Sequence, residues 1–401
     1  MRDYVVTTDE AERWRAVLPA NARAVGSVEY ARVLERLTGA SARLFVVDWG
    51  GATTAYTFLL RPVRGFPFEA GLRHRFDTFT AEYSGPVWRG SPQPLDGGPR
   101  FADVFAEHCR QQGIVAEFAH LSPWTSPDLL DPGCVEPNRD VVYLDLTWGE
   151  DEIWTRSLTS DTRRQVRQAE RAGVRVRHAE SLDDVREFHR LYELTMERRN
   201  ALDRYHFPIE HFVELFETMR DNTLFALAEY QGHIVAGGLY FHDDTEVVWH
   251  LSAVDMAFAG VRPVNAFHYE TIRWALRQGK RRLLCGGAYQ PGDGIFRFKA
   301  GFSPLRAQFH TYRRVHDPDA YSVLTRAWSA HHGGKSPSAD FFPAYRTAPP
   351  EATPPFGPER AGEPDAAVAA IERLRGERAK TSLDEQGAES RDRSEPGAAV
   401  A

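Results

Sequence analysis

The chain has 401 residues, enough for two or three domains or one large one with a tail. Hydrophobic residues make up 42% and aromatics 12%, which supports a real core and excludes a wholly disordered chain. The net charge of −7 argues against a broadly basic surface for DNA, while a local basic patch stays open.

No run of about 18 apolar residues is present, so no transmembrane helix is expected. The opening MRDYVVTTDEAERW lacks a basic-then-apolar secretory pattern, which points to the cytoplasm. The 3 cysteines, Cys109, Cys134 and Cys285, are too few and too scattered for a disulfide framework or a Cys-x-x-Cys metal pair. Only Lys280, Lys299, Lys335 and Lys380 are lysine among 49 basic residues, so a lysine inside a motif is informative.

In chain order, 42–48 and 53–63 read as paired strands across the turn Trp49-Gly50-Gly51-Ala52. A helix over 101–113 closes on glycine and precedes strands at 114–121 and 141–146. A second unit opens with the basic helix 161–172, stopped by Gly173, and a short strand after it. Helices follow at 182–199 and 208–220, with Pro208 suited to a first helical position. Three strands come next, 223–230, 233–241 and 246–254, joined by the hairpin turns Gln231-Gly232 and Asp243-Asp244. The amphipathic helix 263–277, the strand RRLLCGG, a short helix in GIFRFKAGF and a last strand LRAQFHTYRRV complete the unit. From His331 the composition turns to Pro, Gly, Ala and charge, the pattern of a disordered tail; within it 365–380 has helical propensity but a thin apolar face. The reading is α/β (α+β), with units 1–150 and 151–330 and a tail 331–401.

Several site patterns are absent: GxxxxGK[ST], GxGxxG after a strand, GxSxG and HExxH. The 15 histidines do not pair with cysteines at ligand spacing, so no metal is expected. The distinctive segment is LLCGGAYQPGDGIFRFKAGF (283–302), where a strand runs into Gly286-Gly287 and the loop leads to Asp293, Arg297 and Lys299. Glycines let a ligand approach the backbone, and cations there suit an oxyanion or a phosphate. Cys285 beside the glycines reads as a buried structural residue rather than a nucleophile. Arg156, Arg163, Arg164, Arg167, Arg171, Arg175 and Arg177 fall within 22 residues, a stripe suited equally to phosphate contacts or to solvent.

The chain resembles the FemA/FemB/FemX group and the wider set of double GNAT-fold acyltransferases. The likeness is carried by FDTFTAEYSGPVW (76–88), SDTRRQVRQAERAGVRV (160–176), LYELTMERRNALDRYHF (191–207), the stretch 250–279 and DGIFRFKAGFSP, which is close to the family's Phe-Lys-x-x-Phe signature. It covers about residues 25–318. It implies two tandem GNAT-like domains, each a mixed, largely antiparallel sheet flanked by helices, and acyl transfer to an amine without a permanently bound cofactor. The co-substrate is then aminoacyl-tRNA, with tRNA as partner, or alternatively acyl-CoA. The acceptor is a small-molecule, saccharide or lipid-linked amine; the oligomeric state stays open.

Matched to the family, Lys299 is the charge-stabilising lysine, with Arg297 and Asp293 beside it as catalytic candidates. Arg262, Asn265, Tyr269, Gly286, Gly287, Arg163, Arg164 and Arg167 are candidates for the donor side. Tyr205 and His250 are candidates for the acceptor side. A general base is sought among Tyr205, His250, Tyr269 and Asp293 by position alone. Against CoA, the stretch 257–269 has one glycine, Gly260, and Pro263 removes a helix N–H where pyrophosphate would sit. The long helical-hairpin arm of some cell-wall members has no counterpart.

Overall fold

A computed structural model describes residues 1–347 except 20–23, 65, 67, 69–70, 73–74, 91–97, 202, 289–291 and 340. The helical stretch expected at 365–380 and most of the expected tail lie outside the described residues. The first half contains β1 (Arg2–Thr7), α1 (Ala11–Val17), α2 (Val28–Thr38), β2 (Ser41–Asp48), β3 (Thr53–Pro62), β4 (Phe76–Phe79), β5 (Val87–Arg89), α3 (Phe101–Gln111), β6 (Ile114–Leu121) and β7 (Val135–Asp145). The second contains α4 (Glu150–Glu152), α5 (Ser160–Ala172), β8 (Arg175–His178), α6 (Leu182–Arg198), α7 (Ile209–Thr218), β9 (Thr223–Tyr230), β10 (His233–His242), β11 (Glu246–Val254), α8 (Pro263–Arg277), β12 (Arg282–Gly286), α9 (Gly294–Ala300), β13 (Arg306–Val315) and α10 (Pro318–His331).

The strands with strong alternation or apolar runs form where the sequence puts them. The β9–β10 hairpin turns on Gln231 (φ 52°) and Gly232 (φ 80°), two left-handed residues that match strand twist. The short elements β1, α1, β4 and β5 escape a periodicity reading because three to seven residues carry too little pattern. β7 begins six residues earlier than its apolar core suggests. Pro137 lies beside a register shift against β13, where a strand tolerates a missing N–H.

The two halves share one sheet of 13 strands, ordered β1-β2-β3-β4-β6-β13-β7-β12-β11-β10-β9-β8, with β5 on β3. Antiparallel pairing dominates; β4–β6 and β11–β12 are parallel. The last strand, β13, does not close the second unit. It inserts between β6 and β7, antiparallel to both. The chain then returns to the first half. Trp328 of α10 and Tyr345 share an apolar cluster with Val63 and Val115. Residues 341–347 therefore pack, although their composition reads as tail. Asp77, fully buried, anchors them: it accepts from Arg346 Nε (2.5 Å) and Tyr345 Oη (3.1 Å) and pairs with Arg61 (2.8 Å).

Successive residues of β7 and β12 face opposite layers, as strand geometry requires. Val142, Leu144, Leu283 and Cys285 point to the layer holding α5 and α8. Val141 and Leu284 point to the other layer, with Tyr83 and Phe309. The halves are tied further by α2, whose Tyr30 and Val33 join the cluster of α6 and α7, and by Trp124 Nε1 donating to Glu246 (3.1 Å).

Candidate active site

β11 and β12 pair over only three residues, Glu246–Val248 with Arg282–Leu284. Beyond Val248, β11 runs on to Val254 bound to β10 alone, and β12 ends at Gly286. The sheet parts there, leaving a slot through its plane. A bulge deepens it: Leu239 faces Leu251 and Tyr240 faces Trp249, so His250 is the unpaired extra residue.

Lys299 fills the slot. Its Nζ donates to the Gly287 carbonyl (2.7 Å) and lies 5.1 Å from the centre of the Trp249 ring. Burial lowers its pKa, while Cys285, Glu82 and Asp293 act to keep it charged. The short helix α9 that carries it is fixed at both ends. Asp293 caps the start by accepting from Phe296 N (2.8 Å). At the finish Thr159 N donates to Gly301 O (2.9 Å), and a Cβ on Gly301 would lie 2.5 Å from Thr162 Oγ1. Glycine is thus needed for α9 to sit against the start of α5.

Gly286 (φ 79°) marks the meeting point of the two layers. A Cβ there would stand 2.7 Å from Tyr83 Oη and 3.4 Å from Lys299 Nζ. Tyr83 itself has φ 55°, a conformation costly for a bulky residue. Hydrogen bonds from Ser84 N to His120 O (2.9 Å) and Ser122 N to Ser84 O (2.5 Å) hold that turn. Of the four described non-glycine residues with positive φ, Tyr83 borders the slot and Arg262 begins α8.

Across the slot stand groups that the sequence reading did not single out. The Glu82 carboxyl is exposed to the cleft and makes no hydrogen bond or ion pair among the described residues. The surrounding protein still raises its pKa against the opposing pull of Lys299 and Arg139. Arg139, on β7, donates to the Ala288 carbonyl. His268 of α8 shares a hydrogen bond with Tyr240 Oη through Nδ1, packs at a tilt against Trp249 and leaves Nε2 unpaired among the described residues; burial holds its pKa far down. The stretch 76–88 carried a signal for Glu82 and Tyr83, as part of the family likeness, but nothing local to it names their target.

The expected donor-side residues separate. Asn265, Arg297 and Gly294 line a cavity of about 460 Å³ bounded by Thr159, Asp161, Thr162 and Gln165 at the start of α5. Arg262 caps α8 in a left-handed conformation (φ 58°), with its Nε buried and without a partner among the described residues. Gly286 and Gly287 border the slot. Tyr269 is held elsewhere, donating to Glu150 (3.2 Å) and packing on Trp154. Arg163 donates to the carbonyls of Trp154 (3.1 Å), Thr155 (3.2 Å) and Leu158 (2.6 Å), closing the helical turn 153–158 as a cation at a helix C-terminus. Arg164 pairs with Asp161, and Arg167 lies over Trp154. Arg297 is exposed and donates to Gly292 O (2.6 Å). On the acceptor side, His250 packs on Phe241, and burial pulls its pKa to about 3. Tyr205 accepts at its carbonyl from Tyr192 Oη (2.5 Å). Among the positional candidates for a base, Asp293 caps α9 and Tyr269 is bound to Glu150. The Cys285 thiol is pushed up to about 12 by burial, which suits packing and not nucleophilic attack.

A second cavity of about 230 Å³ lies at the seam of the halves, by Trp88, Trp124, Glu246 and Arg282, at the opposite end of β11 and β12 from the slot. Among the described residues no cluster of three metal-ligating side chains occurs, and no helix is long and apolar enough to cross a membrane.

Residues 156–300 match the acetyltransferase (GNAT) domain family. A curated relative, the UDP-N-acetylmuramoylpentapeptide-lysine N(6)-alanyltransferase of Weissella viridescens, is 27% identical over 198 residues, 48% of this chain and 57% of that protein. The chain thus matches little more than half the length of this relative. Among solved structures, that of FemX superposes with a TM-score of 0.61 at 14% identity, over 80% of this chain and 99% of that one. The C-terminal domain of a putative lysylphosphatidylglycerol synthetase from Agrobacterium fabrum gives 0.50 at 15%, over 80% and 96%. These structural likenesses are of fold.

Proposed function

We propose that this chain, which is of the Fem-like GNAT type, is an acyltransferase that forms an amide on an amine acceptor, with aminoacyl-tRNA as donor and a lysine-type amine of a peptidoglycan precursor as acceptor. The observation that carries the reading is Lys299 in the slot between β11 and β12, with one layer of the protein on each side. The donor carbonyl reaches it from the cavity between α5, α8 and α9. The amine arrives from the layer of Glu82 and Tyr83. Attack forms the C–N bond and an oxyanion, and the Lys299 ammonium is the cation within reach of that charge. Such a donor contributes about 10²–10³ in rate; holding both partners at the slot supplies the rest. The leaving group is the tRNA ribose hydroxyl, and no covalent enzyme intermediate is needed.

The start of α8 supports tRNA over CoA. Pro263 removes an N–H there, and Arg262 occupies the cap in place of a glycine. The basic face of α5 supports it less than the sequence suggests, because Arg163 closes a backbone turn. Arg164 stays available, since its exposed pair with Asp161 holds it by only about 0–1 kcal/mol. Arg171 and Arg175 are exposed.

A second reading, acyl-CoA as donor, is favoured by the GNAT acetyltransferase match over 156–300. A donor test separates the two. Purified protein is given UDP-N-acetylmuramoyl pentapeptide and a small-molecule extract, with charged total tRNA or acetyl-CoA, with and without RNase. New amides are detected by mass spectrometry. An RNase-sensitive product supports the tRNA reading, and a CoA-dependent, RNase-insensitive product replaces it.

A further inference from the structure

We infer that Glu82 is the acceptor-side base, which binds the incoming primary amine as its ammonium and takes the proton that must leave for the amide to form. This rests on the acyl-transfer reading above and adds a residue from the other half of the molecule.

Three observations converge on Glu82. It adjoins Tyr83, whose strained left-handed backbone is pinned to His120 and Ser122 and whose hydroxyl sits at Gly286. Such strain persists where the surroundings over-determine it, commonly at functional sites. The carboxylate also has no protein partner among the described residues, although Lys299 of α9 and Arg139 of β7 both act on its charge. Buried Tyr30 of α2 and Tyr83 complete its titratable surroundings. An unpaired carboxylate in a protein-walled cleft invites a cationic guest, since a charge there is costly without a partner. Finally, Glu82 stands opposite the donor cavity across the slot. A group bound to it meets a carbonyl at Lys299 from the other face.

A lysine-type amine is almost wholly protonated at neutral pH and cannot attack until it loses a proton. In the step proposed, the ammonium gives one proton to a Glu82 carboxylate oxygen. The freed nitrogen pair forms the bond to the carbonyl carbon, whose oxygen takes the π electrons beside Lys299. The C–O bond to the ribose then breaks, and its oxygen is protonated at the expense of the attacking nitrogen. The protein walls around the carboxyl raise its pKa, which narrows the gap to the amine.

The test compares two acceptors in wild type, Glu82→Gln and Glu82→Asp, with whichever donor wild type uses. One acceptor is the lysine-containing UDP-N-acetylmuramoyl pentapeptide. The other is hydroxylamine, which is already neutral near pH 7, scored as hydroxamate above the enzyme-free rate. Glu82→Gln is expected to lower kcat/KM about 10²–10⁴-fold for the lysine amine. It should change the hydroxylamine rate less than about fivefold. The lysine-amine deficit should shrink as pH rises and solvent deprotonates the amine, and Glu82→Asp should restore part of the rate. Equal losses on both acceptors with a flat pH dependence would mean a structural role and overturn the inference. Lysine transfer within about twofold of wild type would overturn it too. If wild type makes no amide with either donor, the acyl-transfer reading itself falls, and this inference with it.

Discussion

Replacing Lys299 with Met is expected to separate catalysis from stability. Among the described residues the ammonium makes one hydrogen bond, to Gly287 O at 2.7 Å, and lies 5.1 Å from the Trp249 ring. Losing these costs roughly 1–2 kcal/mol of folding free energy. Against that, burial disfavours the charged amine, and no carboxylate lies within ion-pair distance among the described residues. A base whose folded pKa is depressed destabilises the folded state wherever the unfolded chain holds the proton more readily. The penalty is full below the folded value and fades as pH rises through it toward the unfolded value of about 10.4. Removing the charge relieves it, so Lys299→Met should fold with a stability within about 1 kcal/mol of wild type, or above it. Activity should fall about 10²–10³-fold, or ~3 kcal/mol of transition-state stabilisation. Urea denaturation and amide formation on one preparation measure both. Retained activity would remove Lys299 from the chemistry. Lost activity with a destabilisation beyond ~2 kcal/mol would make it a packing residue and refute the argument from the slot.

Gly286→Ala should reduce activity at least about tenfold, because its Cβ meets Tyr83 Oη at 2.7 Å and φ 79° suits glycine; kinetics beside a melting curve check this. Arg163→Ala should cost about 2–3 kcal/mol of stability by orphaning three carbonyls, while KM for the donor stays unchanged in protein that remains folded; a raised donor KM would restore a binding role. Asp77→Asn should destabilise by about 3–5 kcal/mol, since it leaves Arg61 and Arg346 facing a neutral group, and should expose 341–347 to limited proteolysis. Asp184 accepts from Arg177 (2.6 Å), Glu180 N (2.9 Å) and Ser181 N (3.1 Å), and the Arg177 hydrogen bond leads the causes that lower its pKa. Its contribution is therefore present above the unfolded value of about 3.9 and lost as pH falls below it. Asp184→Asn should be less stable than wild type at pH 7, and the gap should narrow below about pH 4 in a series of urea titrations.

The elements legible before any folding are those whose signal is local. The strands 223–230, 233–242 and 246–254 carry apolar runs and turn residues of the right handedness, and α6 and α8 carry helical stripes between their stops. Lys299 stands out in the sequence because lysine is rare in this chain and sits in a resembling motif. Tertiary structure decided what depends on distant partners. Nothing local tells that β11 and β12 part after three pairs, or that β13 slides between β6 and β7. Arg163 looks like its neighbours on α5 until the fold sets three carbonyls around it. Tyr345 lies in a stretch with the composition of a tail, and partners far away in sequence hold it: the apolar cluster of Val63, Val115 and Trp328, and the Asp77 carboxylate 268 residues earlier. Glu82 is one of many glutamates until a strained turn sets it against the slot. Composition and periodicity report what a segment does with water and with its own backbone. Which charge meets which, across a sheet built from both ends of the chain, is set by long-range pairing.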